Sequence, residues 1–156
     1  MPFDERLLQR YPNRVTKTLP LLFLLTCLLP AQETPLTAVQ KLFEAVLHKD
    51  AATASALFTP DAMLYALRPD GTAAGLPAAK WIERMAASKD QWQERIYNPK
   101  QLEQGAIAHV WTEYDFHLAG KFSHCGIDSV SLLKTATGWK IASISDTREK
   151  TGCPAR

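Results

Sequence analysis

From Thr34 onward the apolar positions first recur with a helical period and later with a period of two. Leu36, Val39, Phe43, Val46 and Leu47 stand three and four residues apart, which gathers them on one helix face. Thr34 offers a capping hydroxyl and Pro35 suits the first helical position, so a helix is predicted from there to about His48. Asp50 can cap a second, shorter helix with Ala54, Leu57 and Phe58 facing inward, and Pro60 is expected to stop it. Ala62 to Leu67 alternates as a strand. Arg68-Pro69-Asp70-Gly71 reads as a turn, with Thr72 to Gly75 returning as a short partner strand. Pro77 opens a third helix that places Trp81, Ile82, Met85 and Ala86 on one stripe.

Past that helix four strands are predicted: Trp92 to Glu103, Ala106 to His117, Lys121 to Leu133, and Trp139 to Thr147. Gln104-Gly105, Ala119-Gly120 and Thr137-Gly138 separate them, and connections this short force antiparallel neighbours. The predicted class is α+β, a curved antiparallel sheet packed on three N-terminal helices. Long strands curl, and curling around helices leaves a hollow.

The N-terminal segment obeys a different pattern. Leu19 to Leu29 (LPLLFLLTCLL) carries no charge, follows Arg14 and Lys17, and precedes Pro30 and Ala31. It is too short to span a bilayer, which takes about 20 residues, and it has the three regions of a secretory signal peptide. Pro20 and Pro30, and the lack of a polar face, oppose a buried core helix. Residues 1–32 are therefore read as a signal peptide, with cleavage after Ala31 or Gln32, and 33–156 as one domain that is secreted or periplasmic. Residues 1–14 then form a superfluous extension, as they would if Val15 were the true initiator. Lipid attachment at Cys27 is opposed by Thr26 before it and the apolar residues after it. Cleavage leaves Cys125 and Cys153, which read as a disulfide in an oxidising compartment.

Charge and motifs mainly exclude. Arg6, Arg10, Arg14 and Lys17 against Asp4 and Glu5 account for the whole formal charge of +2. The domain itself is balanced, with no electrostatic case for nucleic acid or an anionic membrane. No metal-ligand spacing, glycine-rich phosphate loop or other cofactor motif is present. Ser123, His124 and Cys125 are adjacent, so strict alternation sends neighbours to opposite faces and forbids a nucleophile–base pair.

The segments YDFHLAGKFSHCGIDS (Tyr114 to Ser129) and GWKIASISDT (Gly138 to Thr147), with the order of elements, resemble the secreted, lumazine-binding-like and SnoaL-like branch of the nuclear-transport-factor-2-like superfamily. The resemblance implies a cystatin-like, cone-shaped α+β fold with a pocket between sheet and helices, and a homodimer formed through the sheet. The superfamily holds ketosteroid isomerase, scytalone dehydratase and polyketide cyclases as well as non-catalytic carriers, so fold leaves function open.

With a turn at Ala119-Gly120, residues whose numbers sum to about 238 should face each other, pairing Tyr114 with His124 and Val110 with Asp128. Phe122, His124, Gly126, Asp128, Val130 and Leu132 then share a face. His124, Asp128 and Tyr114 are the candidate catalytic residues, a polar cluster in an apolar pocket. The competing reading makes His124 and Tyr114 a structural cross-strand pair. Tyr65, Trp81, Trp92, Trp111 and Phe116 are candidates to line the pocket. Trp81 also serves as a core anchor like Trp139, and Trp92 and Trp111 suit a dimer interface as well. Arg95 and Arg148 could hold a ligand carboxylate or pair with surface acids. Three functions follow: a binding or accessory domain for a small apolar ligand, an isomerase-, dehydratase- or cyclase-type enzyme, and a dimeric interaction module.

Overall fold

A computed structural model describes residues 33–153; the predicted leader lies outside them. Helix α1 (Pro35–Leu47) starts where Thr34 Oγ1 accepts the Thr37 N–H at 3.1 Å, and α2 (Ala51–Leu57) where Asp50 accepts that of Thr53 at 3.0 Å. Strands β1 (Phe58–Leu67) and β2 (Ala73–Pro77) form a hairpin that leads into α3 (Ala78–Ala87). Strands β3 (Trp92–Gln104), β4 (Ile107–Leu118), β5 (Lys121–Thr135) and β6 (Gly138–Thr147) then form the predicted meander.

Three details differ from expectation. The sheet order is β2-β1-β6-β5-β4-β3, and β1 runs parallel to β6, so the sheet is mixed. Pro60 does not end a helix. It lies inside β1 where the register with β6 shifts between Phe58 and Met63, an irregularity that tolerates a missing N–H. On α3 the buried positions are Ala78, Ile82 and Met85, while Ala86 is exposed.

Register shifts at Tyr97/Lys100 in β3, at Phe116/His117 beside β5, and at Ser131/Leu132 beside β6 interrupt the ladders. Bulges of this kind bend strands and deepen twist, and here they curl the sheet around the helices. One end of the concave face is filled: Val39, Leu42 and Val46 of α1 belong to the same core as Val110, Val130, Leu132 and Ile141. The other end, toward the β4–β5 turn, is open.

Cys125 and Cys153 are bonded, and Cys125 and Glu149 exchange backbone hydrogen bonds at 2.9 Å in both directions. The tail is thereby pinned to β5. Closing a loop of 28 residues contributes roughly 3.5 kcal/mol in the chain-entropy picture.

Candidate functional site

The site begins with a change of phase in β5. Ala119 and Gly120 both have positive φ (50° and 74°), the geometry of a two-residue hairpin turn, and Leu118 pairs with Lys121. One step on, His117 pairs with Phe122, but at the next Phe116 pairs with His124, leaving Ser123 as an extra residue. The observed partners are therefore Tyr114–Gly126, Thr112–Asp128 and Val110–Val130. This corrects the expected pairs Tyr114–His124 and Val110–Asp128. The tight turn adds one to the register sum and the bulge another, so the slip is even and His124 and Asp128 still face inward. Phe122, on the near side of the bulge, leaves that face and packs against His117 with ring centroids 5.8 Å apart.

The bulge also overturns the exclusion of a Ser123–His124 contact. Alternation fails at the extra residue, and Ser123 Oγ lies 3.0 Å from His124 Nδ1. Both residues line a cavity of about 540 Å³ between α3 and the sheet.

One wall of this cavity is aromatic. Trp81 of α3 meets Trp92 of β3 edge-on at 6.0 Å, Trp92 meets Phe116 at 5.8 Å, and Phe116 lies 5.1 Å from the His124 ring. Trp92 is fixed by its indole N–H, which donates to Ser88 Oγ at 3.0 Å. Phe43, Leu64, Leu76, Leu118 and Ile144 supply the remaining apolar surface.

The other end is polar: Glu94, His124, Asp128, Asp146 and Arg148. Asp128 is only 2% exposed and stands beside Glu94. Loss of hydration raises both carboxyls, Glu94 well above its ordinary range and Asp128 to about 7. Glu94 is pushed up further by the charge of Asp128 and by donating a hydrogen bond to it. The pair thus holds one proton between two acids. Burial lowers His124 to about 4, helped by the Arg148 charge, so its imidazole is neutral. Arg148 is tied to Asp146 by Nε at 3.1 Å and a second guanidinium nitrogen at 2.9 Å.

Tyr114 is placed differently from expectation. It is fully buried, its ring meets His124 edge-on at 5.7 Å, and its hydroxyl donates to the Thr147 carbonyl at 2.8 Å. Thr147 Oγ1 accepts the Ile127 N–H at 3.0 Å, a bond a main-chain carbonyl would otherwise accept. A Cβ on Gly126 would stand 2.0 Å from the Thr147 carbonyl oxygen. Glycine there lets this strand end cross close, and Tyr114 holds the crossing that brings Asp146 and Arg148 to the cavity.

Of the aromatic candidates, Trp81, Trp92 and Phe116 line the cavity. Tyr65 (44% exposed) and Trp111 (48% exposed) do not. Each neighbours an inward residue, Leu64 or Thr112, and alternation turns it outward. Arg95 also lies away from the cavity, where it binds the buried Asp115 through Nε at 2.9 Å and a second, shorter contact. Glu94 was not among the sequence candidates. The available signal was its distance of two from Trp92, which puts both on one strand face. A second hollow, of about 580 Å³, is a surface groove by Leu102, Ile107 and His109.

Residues 31–145 match the model of the family described as "Putative lumazine-binding". Solved structures share the fold at low identity. An NTF2-like protein of Cytophaga hutchinsonii is similar with a TM-score of 0.61 and 14% identity, over 73% of this chain and 94% of that one. An NTF2-like protein of unknown function from Shewanella baltica gives 0.56 and 15%, over 74% and 91%. A Streptomyces avermitilis protein described as a "putative dehydratase from the NTF2-like family" gives 0.58 and 19%, over 73% and 92%. No curated protein sequence matches the chain.

Proposed function

Because the chain belongs to the lumazine-binding-like family of the nuclear-transport-factor-2-like superfamily, we propose that it is an exported domain that binds a small, largely apolar ligand in the cavity between α3 and the sheet. The observation that carries this reading is the division of that cavity into an aromatic wall, Trp81–Trp92–Phe116, and a polar end at Glu94, His124 and Asp128. Such a hollow suits a ligand whose apolar body fills it and whose polar group fixes orientation. The Cys125–Cys153 bond suits an oxidising compartment, and no helix among the described residues is long and apolar enough to cross a membrane.

Native mass spectrometry of the protein purified from its own host tests the reading. A co-purifying small molecule, lost in His124→Ala with the circular dichroism spectrum retained, is the expected result. A protein that carries no ligand, with the cavity closed by its own side chains, overturns it. Unchanged ligand in His124→Ala would assign His124 to structure.

A second reading, an isomerase- or dehydratase-type enzyme, is favoured by the proton held between Glu94 and Asp128 next to a neutral imidazole. That arrangement supplies both a donor and an acceptor near neutral pH. Incubating the recovered ligand with protein in deuterium oxide should then place deuterium on carbon, and Asp128→Asn should abolish the exchange. For self-association, the third expectation, we assign the outward sheet face that exposes Trp111. Sedimentation of wild type and Trp111→Arg checks it, a dimer lost in the variant being the expected result.

A further inference from the structure

We propose that the polar end of the cavity selects an organic ammonium group, so that the ligand is an amine on a one- or two-ring apolar body. This deepens the ligand-binding reading and rests on it. Asp128 Oδ2 is buried and, apart from the proton its carboxyl shares with Glu94, meets no hydrogen-bond donor among the described residues, yet its side chain borders a cavity large enough for a ligand. A buried carboxylate oxygen without a donor is costly, and an ammonium N–H is the group that answers it most strongly.

The surrounding groups favour a cation. Glu94, from β3, adds a second carboxyl. His124, from β5, is a neutral imidazole held at Ser123. Arg148 is matched by Asp146 at the end of β6, and Tyr114, from β4, donates to Thr147. At the rim, Arg84 of α3 is balanced in sign by Asp90. What remains unmatched is the Glu94–Asp128 pair. A carboxylate ligand would face those two acids, whereas an ammonium would also find the ring surfaces of Trp81, Trp92 and Phe116, which attract cations.

An ammonium donating to Asp128 Oδ2 replaces the proton that the two carboxyls otherwise share, and that proton leaves to solvent. Affinity for the amine therefore rises as pH climbs through the neutral range, and falls only where the amine itself loses its charge.

Isothermal titration of the purified protein with 2-phenylethylamine, 2-phenylethanol and 3-phenylpropanoate separates the cases. Running it at about pH 7.5 in two buffers of different ionisation enthalpy reports proton release. The amine should bind at least about ten-fold more tightly than the alcohol, the scale of a charge-assisted bond, with proton release. In Asp128→Asn the amine-to-alcohol ratio should collapse to near unity. Glu94→Gln, which keeps the shape, should retain the amine preference and cut the proton release to the part that Asp128, raised to about 7 by burial, still carries at that pH, and it covers the case in which Asp128→Asn fails to fold. Equal or tighter binding of the alcohol or the carboxylate overturns the amine inference and leaves the ligand site standing. Binding of none of the three overturns both.

Discussion

Two aspartates, Asp115 on β4 and Asp128 on β5, are almost fully buried, at 0% and 2% exposure, and are turned to opposite uses. Asp115 is met by the Arg95 guanidinium through two contacts, by the Tyr97 hydroxyl at 3.4 Å, and by His117 Nδ1 at 3.7 Å. Asp128 is met by another acid. A buried charge with a matching cation is a piece of scaffold whose worth lies in not being broken. A buried carboxyl facing a cavity and its own kind costs stability, and what it provides instead is an oxygen ready for a guest. The contrast locates the site better than any count of polar residues.

The most disruptive way to break this comparison is Gly126→Ala. Its Cβ would meet the Thr147 carbonyl, pushing the end of β6, and with it Asp146 and Arg148, away from Asp128. The expected loss, about 3 kcal/mol by urea denaturation, is at the upper end for overpacking, and the Arg95–Asp115 pair should be untouched. Arg95→Met tests the outer aspartate. With Arg95 partly exposed, the loss is expected to be about 2 kcal/mol, and a neutral result would mean that the pair is not structural.

Asp128→Asn should move stability the other way, gaining about 1 kcal/mol at pH 8 because an anion leaves a dry site. It should also flatten the pH dependence. The folded carboxyl sits at about 7 instead of 3.8, so its stabilisation is complete below about pH 4 and is lost as pH rises through 7. His124, lowered from 6.5 to about 4, acts in the opposite sense: its stability is present above 6.5 and lost as pH falls through 4. Glu94, raised well above its own ordinary range, acts in the same sense as Asp128, so between those limits His124 offsets one of two acids, and above 6.5 the acids act unopposed. Thermal midpoints of the wild type should fall gently from about pH 4.5 to 6.5 and more steeply toward 8. In His124→Asn, the smallest change, the steep decline should already begin near pH 4. A midpoint that rises steadily to pH 8 would contradict the assignment of Asp128.

Local chemistry was legible in the sequence. The caps at Thr34 and Asp50, the separators Gln104-Gly105 and Thr137-Gly138, and the pair of cysteines each act over a few residues or through a unique partner. What was not legible depends on distant segments. The parallel seat of β1 beside β6 joins strands that the chain separates by five other elements. Glu94 sits in QWQERIYN, where polar residues occupy both faces and the alternation names no inside. His124 and Asp128 were assigned inward from a register that proved two residues off, and parity preserved the conclusion. Tyr65 and Trp111 show the converse, since aromatic character drew them to the pocket and strand parity turned them out.

The extra residue at Ser123 decides which half of a strand's vocabulary the cavity hears. Drawing it into the ladder, with the turn unchanged, would pair Thr112 with Ile127 and Trp111 with Asp128 and so swap the two sets: Cys125 and Ile127 would speak inward, and Asp128 would address the solvent. Deleting it would leave the pairs Phe116–His124 and Thr112–Asp128 as they are, so the bulge, and not the number of residues in β5, keeps a charged interior from becoming an apolar one.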